Sequence, residues 1–195
     1  MHKYSDLLNE LSNSGLHFES INDLNKINLK NKEIIPILLK YLKKYSDPWD
    51  KECIIRALSV KGFTSITNTL IEEFYRASDQ SSLKWSIGNA ISIIQDKHIK
   101  DKIIKIISEK EHGTARQMFC VALGKLKDFK SIPFLLENLN DPDLTGHAII
   151  ALSNFNEKRI IEKLEPFIEH PNSWIQKEAK SAIKKINKNI ESRKN

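Results

Sequence analysis

The sequence predicts an all-α protein built as a stack of two-helix units, and three observations carry that prediction. A small residue followed by a large aliphatic one closes a helix-like stretch five times, at Ala57-Leu58, Ala90-Ile91, Ala122-Leu123, Ala151-Leu152 and Ala182-Ile183. Successive alanines lie 33, 32, 29 and 31 residues apart, a period at which each helix pair buries its apolar face against its neighbours. Within a second helix the apolar positions fall at i, i+4, i+7 and i+8, one helical face. Leu83, Ile87, Ala90 and Ile91 show this spacing, as do Leu144, Ala148, Ala151 and Leu152, and again Ile175, Ala179, Ala182 and Ile183.

Taken in order, residues 1–31 are read as an irregular N-terminal helical cap, with a helix near Tyr4–Ser12 followed by Gly15-Leu16-His17-Phe18. The first repeat, 32–62, pairs Glu33–Lys44 with Trp49–Lys61 across Ser46-Asp47-Pro48. The second, 63–96, pairs Ile66–Ala77 with Gln80–Ile94, Asp79 being the expected N-cap. The third, 97–128, pairs Ile99–Glu109 with Thr114–Lys127. The fourth, 129–156, pairs Ser131–Asn140 with Asp143–Asn154 across Asn140-Asp141-Pro142-Asp143. The fifth, 157–190, pairs Lys158–Glu169 with Ser173–Ile190 across His170-Pro171-Asn172, and 191–195 are a tail. Asp-Pro suits these turns because Asp accepts an orphan amide proton and Pro is tolerated at the first helical position. The alanines suit helix crossings only about 8–10 Å apart. The narrow apolar stripe of the last helix, with lysines elsewhere, suits a helix with a neighbour on one side only.

Composition agrees. A chain of 195 residues is long enough to bury about 70% of its unfolded surface without staples. Cys53 and Cys120 form neither a metal-like spacing nor a disulfide framework. Met1–Asp6 lacks the basic-then-apolar pattern of a signal peptide, and no run of about 18 apolar residues occurs. A cytoplasmic chain without a membrane segment is therefore expected. The net charge of +6 is mostly C-terminal: Lys177–Asn195 holds seven basic and two acidic residues, and the remainder 24 and 23.

The pattern resembles HEAT-like repeats of the short, bacterial, phycobilisome-lyase type, whose second helices open with Asp-Pro-Asp, Val-Arg and Ala-x-x-Ala-Leu. Asp141-Pro142-Asp143-Leu144-Thr145-Gly146-His147-Ala148-Ile149-Ile150-Ala151-Leu152 is the nearest match, with Ala115-Arg116 and Trp174–Ala179 matching in part. The resemblance spans about residues 32–190. It implies a single right-handed α-solenoid of about five two-helix repeats with a cap. The family's arginine column reads Lys51, Lys84, Arg116, Thr145 and Gln176 here, which breaks any continuous basic ladder.

Candidate chemistry is sparse. His112-Gly113-Thr114-Ala115-Arg116 has two readings: an anion-binding corner at a helix N-terminus, or a glycine turn with Thr114 as N-cap and Arg116 bonding between units. Lys84-Trp85-Ser86-Ile87-Gly88-Asn89 places Trp85 about 160–200° from core-facing Leu83 and Ile87, so Trp85 with Lys84 and Asn89 forms a candidate anchor. Gly88 implies close approach by a ligand or by the neighbouring helix. Trp49 and Trp174 are expected to pack over turns. His147 is read as structural or facing the partner surface. No metal, phosphate-loop or nucleophile motif occurs, so no catalysis and no cofactor are expected. The absence of His-Glu pairs argues against the di-iron hydroxylase that uses such repeats, and no site supports a phycobilin lyase.

The expected function is a non-catalytic protein-binding scaffold, adaptor or inhibitor, monomeric, using a concave face of second helices. Lys84, Trp85, Asn89, His112, Arg116, Gln117 and His147 are its candidate partner-binding residues. Nucleic-acid binding, as in glycosylases with HEAT-like repeats, is the alternative. It needs a basic, aromatic groove, which Glu52 and Glu178 interrupt.

Overall fold

The computed structural model describes residues 3–78 and 80–192. Among these, every regular element is helical: eleven α-helices joined by short 3₁₀ turns, with no strand. The expected N-cap Asp79 and most of the 191–195 tail lie outside the described residues. The chain divides into two compact units, 1–96 and 97–195, the division falling between residues assigned to the second and third repeats.

In the first unit, α1 (Ser5–Asn13) packs on α2 (Ile35–Lys44), and α2 on α3 (Pro48–Leu58). The α4 helix (Thr67–Arg76) packs on α5 (Ser81–Ile94), and α5 packs on α3. A 3₁₀ segment, Ile21–Lys26, covers the outer side of α3 with Ile21 and Leu24 buried.

In the second unit, α6 (Lys100–Ser108) packs on α7 (Gln117–Lys125), and α8 (Ile132–Glu137) on α9 (Thr145–Leu152). The α10 helix (Lys158–Leu164) packs on α11 (Ser173–Glu191). The second helices touch in sequence, α7 on α9 and α9 on α11.

The alanine columns explain this contact order. Ala57, Ala90, Ala122, Ala151 and Ala182 are all buried, as are Leu58, Ile91, Leu123 and Leu152. Ile183, on the last helix, is only half-buried. At the tightest crossing a Cβ on Gly124 would stand 2.5 Å from the Ala151 Cα and carbonyl oxygen. A methyl group there would overlap the backbone of α9.

Caps follow the sequence in part. Asp47 accepts from the Asp50 amide, Asn172 from the Trp174 and Ile175 amides, and Asp141 from the Asp143 amide. Two second-helix starts differ from expectation by two residues or more. The helix placed at Thr114 begins at Gln117, and the one placed at Asp143 begins at Thr145. Thr114 is not an N-cap, because residues 110–116 form a 3₁₀ segment broken at Gly113, whose φ of +51° favours glycine.

No helix among the described residues is long and apolar enough to cross a membrane.

Candidate functional site

The position six residues before each alanine holds Lys51, Lys84, Arg116, Thr145 and Gln176, and the first four of these side chains turn inward. Lys51 donates from Nζ to Glu73 Oε2 at 2.6 Å, and Glu73, buried, also accepts from Arg76 at 2.8 Å. Burial alone would raise the Glu73 carboxyl, but these two cations outweigh it and hold it below the usual range. Lys84 is only 8% exposed, with Nζ 5.2 Å from the centroid of the Phe74 ring. Thr145 Oγ1 donates to the carbonyls of Leu139 and Asp141.

Arg116 is 1% exposed and spends its fork on the protein itself. Nε donates to the Gly113 carbonyl at 2.9 Å, Nη1 to the Ile107 carbonyl at 3.0 Å and to Asp141 Oδ2 at 2.8 Å. Nη2 reaches Asp141 Oδ1 at 3.4 Å and Asp143 Oδ2 at 3.3 Å. The end of α6, the Gly113 turn and the α8–α9 turn are thereby tied to one planar cation. Burial pushes the Asp141 carboxyl up, but the Arg116 hydrogen bond and the Asp143 amide outweigh it and leave it lowered. His112 Nε2 lies 3.2 Å from Glu109 Oε2, its side chain 12% exposed.

These placements give three of the expected partner-binding residues, Lys84, His112 and Arg116, partners within the protein. The anion corner of His112 and Arg116 is filled by the protein's own Glu109, Asp141 and Asp143. Lys84 is a packing residue whose aliphatic stem is buried and whose ammonium caps an aromatic ring. A cavity of about 340 Å³ opens beside Arg116, but the guanidinium at its floor is already committed to Asp141.

The other candidates stand differently. Trp85 is 40% exposed on the face of α5 opposite buried Leu83 and Ile87, and Asn89, one turn on, is half-buried. In the second unit, Gln117 Nε2 donates to the Asp143 carbonyl at 3.0 Å. The His147 ring sits 5.2 Å from the Trp174 ring at an angle of 51°. Burial lowers the His147 imidazole below its usual value, so it is neutral at pH 7.

The sequence reading missed two features. Trp174 is 41% exposed, and Trp49 on α3 is likewise exposed, so neither is merely a turn cover. The Trp174 ring rests where a side chain on Gly146 would project, a Cβ there overlapping ring atoms Cζ3 and Cη2. No local signal marks this seat, since Gly146 and Trp174 lie 28 residues apart.

No group of three or more His, Cys, Asp or Glu residues that could hold a metal ion occurs among the described residues. The geometry thus offers surfaces: an exposed tryptophan on α5, and an aromatic and lysine-bearing face on α9 and α11. Compared with known families, the chain matches no family model, and no curated protein sequence matches it either.

Proposed function

We propose that the chain is a non-catalytic protein-binding scaffold, adaptor or inhibitor: a right-handed α-solenoid of about five HEAT-like helix pairs that presents its second helices to a protein partner. The repeated alanine columns and the sequential contacts of second helices within each unit support the solenoid reading. The observation that carries the binding reading is Trp85. A large aromatic side chain left 40% exposed in the middle of a second helix is costly to hydrate. Such a residue commonly anchors an interface when a polar neighbour, here Asn89, flanks it. The unit around it is electrically balanced, with twelve basic and twelve acidic residues in 1–96, which favours a protein surface over a polyanion.

The test is a paired affinity capture with the full chain and Trp85→Ala, both checked by thermal melting. The reading expects a specific captured protein that Trp85→Ala fails to retain while melting like the parent. Identical capture by a folded Trp85→Ala would sink the anchor.

A further inference from the structure

Charge is divided unequally along the chain. Residues 1–96 are neutral, whereas residues 97–195 hold nineteen basic and thirteen acidic side chains, so the whole net charge of +6 belongs to the second unit. In the first unit Lys3, Lys26, Lys40, Lys44 and Lys51 each lie against a carboxylate. On α11 the exposed lysines lack such partners. Lys177, Lys180, Lys184 and Lys188 stand exposed on the face away from buried Ile175, Ala179, Ala182 and Ile186. No ion pair to any of the four is present among the described residues. Like charges four residues apart destabilise a helix, and among these four lysines there are two such pairs, 180/184 and 184/188.

The flank of α11 nearest α9 adds to this stripe. Lys185 Nζ donates to Ser153 Oγ at 3.2 Å and Asn154 Oδ1 at 3.1 Å, leaving one of its three protons for a ligand. Burial, and then the nearby Lys127 charge, pull the Lys185 ammonium below the usual lysine value. A bound anion would offset the repulsion from Lys127. At the other end of the helix, three residues before Lys177, stands half-exposed Trp174 on its Gly146 seat beside His147.

We propose that this face of α9 and α11 binds single-stranded nucleic acid, with phosphates along Lys177, Lys184, Lys185 and Lys188 and a base stacked against Trp174. The stripe runs about 16 Å along the helix axis. Its cations are lysines, which meet phosphate as point charges. An aromatic ring at its head supplies the sequence-tolerant stacking such sites use, and only an unpaired base can reach it. Glu178, half-buried, is the single carboxylate among residues 174–188. The site uses residues of the second unit only and is independent of Trp85, so it goes beyond the protein-binding reading.

Fluorescence anisotropy with a labelled oligothymidylate about 20 nucleotides long tests it at about 50 mM and about 200 mM salt. The full chain is expected to bind at low salt and weaken steeply at high salt. Replacing both Lys184 and Lys188 by Gln, exposed positions where folding is retained, should lower the log–log salt slope by about 1.4, or about 0.7 per phosphate contact. Trp174→Ala should weaken binding about tenfold at both salts with the slope unchanged. Trp174→Leu, which keeps an apolar cover over Gly146, serves if the alanine variant melts early. Trp85→Ala should bind like the parent, which separates this site from the protein-binding one. Absence of binding at low salt overturns the proposal. So does displacement of the strand by polyglutamate as effectively as by unlabelled strand, the outcome for an acidic protein partner. A duplex that competes better than the single strand, or unchanged affinity in both Trp174 variants, overturns it as well.

Discussion

The Arg116 guanidinium donates to the Asp141 carboxylate at 2.8 Å, joining side chains 25 residues apart across two helix pairs. Arg116 is buried and Asp141 nearly so, which makes the pair unforgiving of half-removal. Arg116→Ala leaves the carboxylate without its cation and two carbonyls without donors. A destabilisation of about 3–5 kcal/mol follows, read as a lowered midpoint in urea denaturation. Arg116→Lys should fall between, because a single ammonium cannot reproduce the fork. A parent-like midpoint for Arg116→Ala would show that the clamp adds nothing.

Gly124 and Ala151 leave no spare volume where α7 crosses α9. Gly124→Ala is expected to cost about 1–3 kcal/mol through overpacking, although alanine is the better helix former. Ala151→Glu adds burial of a charge to the overlap and should abolish soluble folded protein. Thermal melting and the soluble yield check both, and a stabilised Gly124→Ala would contradict the crossing geometry.

Acid sensitivity should centre on Glu73 and Asp141, whose carboxyls are held below their usual range in the folded chain. The stability each contributes is complete above its unfolded value, about 4.3 for Glu and about 3.9 for Asp. It is lost as pH falls through the lower folded values. Melting temperature should therefore be flat near neutrality and fall below about pH 4. Glu73→Gln should start lower at pH 7 yet lose less on acidification. If the two curves run parallel, Glu73 is not a source of the slope.

Burial lifts the Cys120 thiol to about 12 and raises Cys53 above its usual value, and both are free and buried. Since the thiolate is the reactive form, neither should react readily with a disulfide reagent in native buffer. Cys53, which lines a small surface pocket with Ile21 and Arg56, should label first. Cys120 should label only at the rate of unfolding, a difference that mass spectrometry after timed quenching resolves.

Much of the helical pattern is legible in the sequence because packing repeats itself. The alanine columns, the i, i+4, i+7, i+8 faces and the caps at Asp47 and Asn172 are each dictated by local geometry. Trp85 is also legible, since its angle from Leu83 and Ile87 follows from helical period alone. Lys84 and Arg116 are not. Whether a long cation reaches outward or folds back depends on partners such as Phe74 and Asp141, which lie 10 and 25 residues away. The Trp174 seat is hidden for the same reason: Gly146 has meaning only once α9 and α11 are adjacent. The starts at Gln117 and Thr145 slipped because the 3₁₀ segment 110–116 and the turn 142–144 share the composition of first helical turns.

The contact between Gly124 and Ala151 reaches beyond its own crossing. Two helices that touch backbone to backbone have no slack along or across their axes. Any residue displayed on α7 therefore keeps a fixed distance from its counterpart on α9. A ligand spanning the two meets a ruler with set graduations, and selectivity can arise from length alone, before any side chain makes contact.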